Sequence, residues 1–347
     1  MKRNGAKPED LRKADFNLYK CGVVADLTIS KWGAFTKLRP EDLGLKTVPD
    51  VVHLGHKELM DGESLKEIDS PGNKAQDFLY SNSYAFPIGF TRFIPYNILE
   101  AVLDKMDEYQ KERGKAVKTF VSEHYREKRE AMMVRWSKAF DEMLEKTNPG
   151  ADHSVEKAKL MQKTEAKYPS ETELEAKFGF DFVVFEIANP ELKEISGEQA
   201  IDKAKVSREL TSQFREKISK RFDVFLDSAG SRLKGMILET TDHMKGLLSS
   251  GKINQNTVKA FGNFVQSFKR LDFIGYDRDI EKAIADFEVK LNGAGKSDLS
   301  DEQFLTQLNK DIDQIKEMAS RSDVSEILGK FKRRMIIDNK DKEEAKA

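Results

Sequence analysis

The closest histidine pair in the chain is His53 and His56, and Glu58 follows two residues later. Two imidazoles and a carboxylate form a ligand set that zinc accepts. Gly55 interrupts the segment, so it lacks the helical spacing that would direct the three side chains toward one point. Cys21 is the only cysteine, which excludes a cysteine-rich zinc site. We therefore expect a surface loop here and no metal site.

The segment Gly293–Ser297, with sequence GAGKS, carries the Gly-Lys-Ser ending of a phosphate-binding loop. It has too few residues before that ending, and no predicted strand leads into it. The chain also contains no Gly-x-Ser-x-Gly nucleophile motif. We therefore expect no catalytic residue, no cofactor and no enzymatic activity.

A basic cluster near the end of the chain consists of Lys330, Lys332, Arg333 and Arg334. Such a cluster can neutralise phosphates and thereby bind nucleic acid. A basic helix C-terminus that complements the helix dipole gives the same pattern. We favour the second interpretation and keep the first as an alternative.

The turn Asn148-Pro149-Gly150, with His153 beyond it, is the candidate for protein interaction. It separates one long predicted helix from a shorter one over 154–167. A loop at the end of a rigid element is a natural recognition site, because the scaffold fixes its position. A simple connector is the competing interpretation, with equal weight.

Two long stretches of helical periodicity must position these residues. They run from about Asn97 to Lys146 and from about Glu198 to Leu248, with apolar residues spaced by three and four. Each helix would be about 75 Å long at about 1.5 Å per residue. Their matched length predicts an antiparallel pair within one chain. Trp136 and Phe140 would then lie near the beginning half of the second helix.

Strands are predicted at Val23–Ile29, Phe86–Phe90 and Phe180–Ile187, where β-branched and aromatic residues concentrate. The densest run, the third, reads as a central strand buried on both faces. We expect the three strands to share one sheet. Three more helices are predicted after the second long one, over about 256–271, 277–291 and 300–318. Pro71 and Gly72 are expected to break the chain, with a short helix only from Asn73.

The predicted fold class is mostly α with a small β element (α+β): a long antiparallel helical hairpin, or coiled coil, plus a C-terminal helical bundle. The expected divisions are an N-terminal tail over 1–22, a β-containing root module over 23–96 and the long hairpin over 97–250, with a strand at 178–188. A helical bundle over 251–335 and a charged tail over 336–347 complete the chain.

Composition predicts a soluble, charge-rich, intracellular protein. Charged residues make up 34% of the 347 residues, yet the formal net charge is only −1. Near-neutrality gives no global attraction to nucleic acid or to an anionic membrane. No apolar run approaches the roughly 20 residues that span a bilayer, so we expect no membrane association.

Several short motifs resemble domain-of-unknown-function family 3150, from Val23 to about Leu291. The motifs are the opening strand with Trp32 and Leu38–Leu43, Tyr84–Pro87 before a long charged helix, Phe178–Phe180, and Asn256–Phe273, which ends Arg270-Leu271-Asp272-Phe273. Members of that family occur in bacteria and phages and are often encoded beside a MoxR-type AAA+ ATPase and a von Willebrand factor A protein. The resemblance implies a location in the cytoplasm of a bacterial or phage-infected cell. The resemblance therefore implies an accessory protein of an ATPase-driven system, and it carries over no catalytic residue.

The function expected from these observations is that of a non-enzymatic scaffold or adaptor. Its partner would be a protein such as the AAA+ ATPase or the von Willebrand factor A protein. Two alternatives stay open: a nucleic-acid-associated phage or bacterial protein, and a structural component of a homo-oligomeric phage assembly.

Overall fold

The computed structural model describes residues 18, 20–43, 48–49, 53–186, 200–250, 253–295 and 298–332, excluding the side chains of 41, 200–219 and 300. The fold is mostly α-helical with a small antiparallel sheet, as predicted. The strands are β1 Gly22–Ile29, β2 Phe35–Lys37, β3 His56–Glu58, β4 Tyr84–Ala85, β5 Arg92–Pro95 and β6 Phe180–Phe185. The helices are α1 Lys66–Ser81, α2 Tyr96–Thr119, α3 Tyr125–Thr147, α4 Ser154–Glu165, α5 Glu171–Glu175, α6 Ala200–Ser249, α7 Gln255–Leu271, α8 Arg278–Gly293, α9 Glu302–Arg321 and α10 over 324–332.

The chain divides into two compact units. The first comprises Met1–Asp26, Leu79–Val102 and Val184–Ala347, and the second comprises Leu27–Phe78 and Leu103–Val183. Strand β1 and helices α1 and α2 each run from one unit into the other. The domain bounds drawn from the sequence stay a prediction.

Helices α6 to α10 supply most of the first unit's core. The three predicted C-terminal helices are confirmed, and their first amides are capped by the side chains of Asn254, Asp277 and Asp301. Helix α6 contacts α9 through the Lys234 ammonium, which donates to the carbonyls of Ser320 and Ser322 at 3.0 and 2.9 Å. These contacts hold α6 as one wall of a helical bundle.

Gly230 explains the weak helix formers in the middle of α6. A Cβ atom at this position would lie 2.5 Å from Cγ1 of Val324. The small residue therefore lets α10 approach closely.

The sheet has the strand order β4-β5-β1-β6, so the first and third predicted strands do share one sheet. The position of the second strand was wrong: β4 and β5 flank residues 86–91, which form the loop between them. The prediction of a central third strand was also wrong. Among the described strands β6 ends the order, and its residues alternate between half-buried and exposed. Ile187 lies outside the described residues.

Aromatic rings fix the β4–β5 hairpin to the bundle of the first unit. The ring centroid of Phe93 lies 5.5 Å from that of Phe225 and 4.9 Å from that of Phe273. Phe86 lies 5.6 Å from Phe222, and Tyr84 lies 5.4 Å from Phe273. Edge-to-face and tilted pairs at these distances favour one geometry. The hairpin is thus held rigidly at its base.

The first long helix of the second unit continues from α2 into α3 through one π-helical turn, Phe120–His124. The N–H of Tyr125 donates to the carbonyl of Phe120, five residues back. Phe120 and Tyr125 are both buried, since the extra residue keeps them on one face. Gly114 lies inside α2 without breaking the helix.

A buried lysine joins the β2–β3 hairpin to α3 and α4. The Lys57 side chain is only 2% exposed, and its ammonium donates to Asp42 Oδ1 at 2.9 Å and to Thr164 Oγ1 at 3.1 Å. It also lies 5.5 Å from the Trp136 ring and 5.8 Å from the Phe140 ring. This contact explains why two aromatic residues stand late in the first long helix.

Helix α1 runs through Pro71, so the predicted break there was wrong. Arg113 supports the irregular turn: its Nη1 donates to the carbonyl of Ile68 at 2.6 Å and its Nη2 to that of Ser30 at 2.8 Å. A Cβ atom on Gly72 would lie 3.0 Å from Arg113 Nη1, so the glycine makes room for the guanidinium. Tertiary contacts here outweigh the local cost of proline.

Both long helices are confirmed, but their pairing stays a prediction. The side chains in the beginning half of α6 lie outside the described residues. Within the second unit, Phe140 and Leu144 of α3 pack on Leu160 of α4, which buries part of the first stripe. No described helix is both long enough and apolar enough to cross a membrane.

Candidate functional site

The predicted interaction turn connects α3 with α4. The N–H of Asn148 caps α3 by donating to the Leu144 carbonyl at 3.0 Å, and Gly150 has a φ of +76°. The N–H of Gly150 donates to Glu145 Oε1 at 3.1 Å. Asn148, Pro149 and Gly150 are exposed. The turn is therefore an accessible and well-bonded connector, with no large apolar side chain in it.

His153, the fourth residue of that prediction, is mostly buried at the start of α4. Its Nε2 lies 3.9 Å from Glu145 Oε2 and makes no hydrogen bond within the described part of the chain. The turn and this histidine thus share one acidic neighbour. This arrangement braces the turn and offers little of the imidazole to a partner.

The basic cluster is partly neutralised by carboxylates. Lys330 forms an ion pair with Glu326 at 3.1 Å, and Lys332 pairs with Asp223 of α6. Phe331 between them is buried against Phe273. Arg333 and Arg334 lie outside the described residues. Whether this cluster binds nucleic acid stays a prediction.

In the structure, His53 precedes strand β3 and His56 is its first residue. His56 belongs to β3 and its ring lies 4.8 Å from that of Phe35. Among the described residues, no group of three or more His, Cys, Asp or Glu side chains could hold a metal ion. Lys296 and Ser297 of the GAGKS segment lie outside the described residues.

An exposed apolar loop stands at the tip of the β4–β5 hairpin, and we call Pro87–Phe90 the hairpin loop. Phe90 is 100% exposed and Ile88 is 49% exposed. The loop is nevertheless ordered by its own bonds: Phe86 N–H donates to the Thr91 carbonyl at 3.0 Å, and Thr91 Oγ1 donates to the Ile88 carbonyl at 2.6 Å. Gly89 has a φ of +64°, which few other residues adopt.

Helix α6 supports this loop from the side. Arg221 Nη1 donates to the Pro87 carbonyl at 3.3 Å, and Phe222 packs on Phe86 at the loop's base. An ordered loop that exposes a whole phenylalanine ring is unusual, because apolar rings in a monomer normally find cover. The hairpin loop is therefore the strongest candidate interaction site in the described part of the chain.

Two arginines converge at the base of the same hairpin, and we call Arg92 and Arg232 the arginine pair. Both donate to the carbonyls of Tyr80 and Ser83 at the end of α1, and Arg92 Nε also donates to Ser83 Oγ at 3.0 Å. Burial, and next the repulsion from Arg232, lower the pKa of Arg92. The pair thus caps α1 with two positive charges.

Sequence reasoning missed both features. Pro87 and Gly89 flanking an apolar residue are a turn signal that could have suggested an exposed Ile88 and Phe90. The arginine pair had no such signal, because its members are far apart in the sequence and meet only in the fold.

Comparison with protein families gives a match to a family of unknown function. The family described as "Protein of unknown function (DUF3150)" matches residues 20–244. No curated protein and no solved structure matches the chain. The matched range contains the β4–β5 hairpin, α2 to α5 and nearly all of α6. The chain therefore belongs to domain-of-unknown-function family 3150.

Proposed function

We propose that this chain is a helical adaptor, without catalytic activity of its own, that binds a partner protein through the hairpin loop. The full exposure of Phe90 on an ordered loop carries the proposal. Burying a phenylalanine side chain in an interface contributes about 1.5–3 kcal/mol. A loop that is already ordered loses little conformational entropy on binding, so most of that free energy remains available.

The partner class in this proposal is a MoxR-type AAA+ ATPase or a von Willebrand factor A protein in the bacterial cytoplasm. The support for this partner class is that the chain belongs to family 3150, because the resemblance to that family implies such partners. Aromatic anchors in a rigid frame are the usual centres of protein interfaces. Phe90 fits that description, because its loop is fixed by the Arg221 bond to Pro87 and by the packing of Phe86 on Phe222.

The antiparallel pairing of the two long helices belongs to the same proposal. Paired helices would form a rigid arm of the adaptor. The matched lengths of α2–α3 and α6 support this pairing. The burial of Phe140 by α4 reduces the apolar surface that needs such a partner. Spin labels on α3 and on the first half of α6 would test it. We expect short distances between labels at positions that face each other in an antiparallel pair, and distances that grow as one label is moved along its helix. Long distances between all pairs of labels would reject the pairing.

Binding to purified, co-expressed partners tests the proposed interface. The double variant Ile88→Ser, Phe90→Ser removes the apolar tip and keeps Gly89 and the loop's backbone bonds. We expect the Kd measured by interferometry to rise at least tenfold, which corresponds to about 1.4 kcal/mol. Val289→Ser is the matched control, since Val289 is a 71% exposed apolar residue of the same unit. It should leave Kd unchanged.

The competing sites give distinct outcomes in the same assay. An Asn148→Ala, Pro149→Ala variant weakens binding only if the interaction turn is the interface. If the hairpin-loop variant binds both partners like the unmodified chain, the proposed interface is wrong. If light scattering shows self-association that depends on Phe90, the homo-oligomeric assembly replaces the adaptor.

A further inference from the structure

The arginine pair carries more positive charge than its surroundings neutralise. The C-terminus of α1, which both guanidiniums cap, offers only about half a negative charge. Neither guanidinium has a described carboxylate oxygen within 4.0 Å. Elsewhere, buried cationic groups do have one: Lys57 has Asp42, and Arg113 has Asp69 at 4.0 Å. The arginine pair is thus short of an anion.

Unused donors remain on both guanidiniums. Arg92 donates through Nε and Nη2, and Arg232 donates through Nη1 and Nη2. Arg92 Nη1 and Arg232 Nε have no acceptor among the described residues. Each guanidinium has five N–H donors, so both arginines keep N–H groups that bond to no described residue.

Aromatic rings hold the two guanidiniums in position. Arg92 Cζ lies 4.7 Å from the centroid of the Tyr80 ring, and Arg232 Cζ lies 5.1 Å from that of Tyr84. Both side chains are half-buried, while the Tyr80 ring is 52% exposed, so the site is ordered and open to solvent at one side. Two guanidinium groups that are already fixed in position lose little conformational entropy when they bind a ligand.

We propose that the arginine pair is a binding site for an oxyanion, a phosphate or a carboxylate group. The planar guanidinium matches both groups, and charge-assisted hydrogen bonds to them are about twice as strong as neutral ones. The ligand relieves the repulsion between the two cations. This site is separate from the hairpin-loop contact and goes beyond the adaptor function. A purely structural cap on α1 is the competing explanation.

Calorimetric titration at constant ionic strength separates the two explanations. Inorganic phosphate is one probe, and N-acetyl-aspartate amide is the other. We expect saturable binding of one anion per chain. Arg92→Gln or Arg232→Gln should weaken the binding at least tenfold. Arg278→Gln is the matched control, since Arg278 is an exposed arginine of the same unit. It should bind as the unmodified chain does.

Each outcome decides the proposal. Phosphate binding without aspartate binding assigns a phosphate ligand, and the reverse assigns a carboxylate such as an acidic side chain of a partner. Absence of saturable binding of both probes to the unmodified chain overturns the site. So does binding that persists in folded glutamine variants. If these variants unfold, Arg92→Lys keeps a charge and the contact with the helix end, and it should fold yet bind at least tenfold more weakly.

Discussion

Lys57 carries a charge but is buried, a setting that disfavours a charged group. A buried ammonium is stable only where partners replace its water, and Asp42, Thr164 and two aromatic rings do so here. Burial acts to raise the pKa of the Asp42 carboxyl, but bonds from the Arg39 N–H and from Lys57 outweigh it and hold that pKa below its usual value. The Asp42 carboxyl therefore stays ionised at neutral pH.

Removing Lys57 should strongly destabilise the second unit. Lys57→Ala leaves Asp42 as an uncompensated, mostly buried charge and opens a cavity beside Trp136 and Phe140. We expect the free energy of unfolding to fall by about 3 kcal/mol, near the low end for a broken buried pair. Urea unfolding followed by tryptophan fluorescence measures it. Lys66→Ala, which removes an exposed ion pair with Glu63, is the control and should change little.

Asp272 is a second residue with an unusual setting, within the motif that ends Arg270-Leu271-Asp272-Phe273. Its Oδ2 accepts from the Tyr276 N–H at 2.8 Å, whereas its Oδ1 is buried without a hydrogen bond. Burial, and next the neighbouring Glu281 carboxyl, raise the pKa of Asp272 to about 7. The unfolded value is about 3.9. Between pH values of about 3.9 and about 7, the folded chain therefore binds more protons than the unfolded chain.

Stability should then decrease as pH rises from about 4 to about 7, because the extra proton bound by the folded state is lost. The slope is at most about 1.4 kcal/mol per pH unit for one group. Asp272→Asn keeps an acceptor for Tyr276 and removes the titration, so the slope should flatten. Urea unfolding at several pH values tests this. Asp286→Asn, an exposed change on α8, should keep the original slope; equal slopes in all three proteins would contradict the prediction.

At the scale of elements, the π-turn between α2 and α3 contains one residue more than an α-helix needs. Ser122 occupies that turn, is exposed, and donates its Oγ to the Lys118 carbonyl at 2.9 Å. Deleting Ser122 would place Phe120 and Tyr125 four positions apart, which still puts both on one face. We therefore expect the shortened chain to keep its helix content and to lose less than about 1 kcal/mol of stability.

Deleting Glu130 is the matched control. This exposed residue lies inside the regular α3, so its loss rotates Met132 by about 100° relative to Tyr125 and exposes one of them. Circular dichroism and urea unfolding should show a much less stable protein. Equal damage from both deletions would show that the π-turn itself is required.

The sequence predicted elements where a long period or a clear cap was present. Helices α7 to α9 begin beside Asn254, Asp277 and Asp301, and their apolar stripes face one core. Strands β2 and β3 were missed, because three-residue strands with mostly exposed side chains show no usable alternation. The helix through Pro71 was missed since Arg113, which supports it, is distant in sequence.

The candidate site was harder to predict than the fold. Phe86, Ile88, Phe90 and Phe93 look alike in the sequence, yet Phe86 and Phe93 are buried and Phe90 is fully exposed. Exposure depends on what α6 covers, which no local pattern records. The arginine pair depends on the same packing. Sequence patterns therefore predicted the helices that support the candidate site. The exposed hairpin loop and the arginine pair could be recognised only from the structure.

At the scale of the whole molecule, each unit has its own apolar core. Tyr84, Phe93 and Phe225 belong to the core of the first unit, and Trp32, Phe120 and Tyr125 belong to the second. The deletion of residues 152–167, an obvious test of the interaction turn, would remove the buried Leu160 and Thr164. It would open the apolar cluster of Phe140, Leu144 and Leu160 in the second unit, so the point variants at Asn148 and Pro149 are the sharper test.

The adaptor proposal makes one prediction for the entire chain: the purified protein should not hydrolyse ATP. The reason is chemical, since the sequence offers no complete phosphate-binding loop and no nucleophile–base pair. A phosphate-release assay should give the rate of a mock purification, and adding the partner ATPase should give activity that belongs to the partner. The Ile88→Ser, Phe90→Ser variant should then lose any effect on that activity, while Val289→Ser keeps it. Hydrolysis by the isolated chain that disappears when Arg92 or Arg232 is replaced by glutamine would reject the adaptor and make the arginine pair part of an active site.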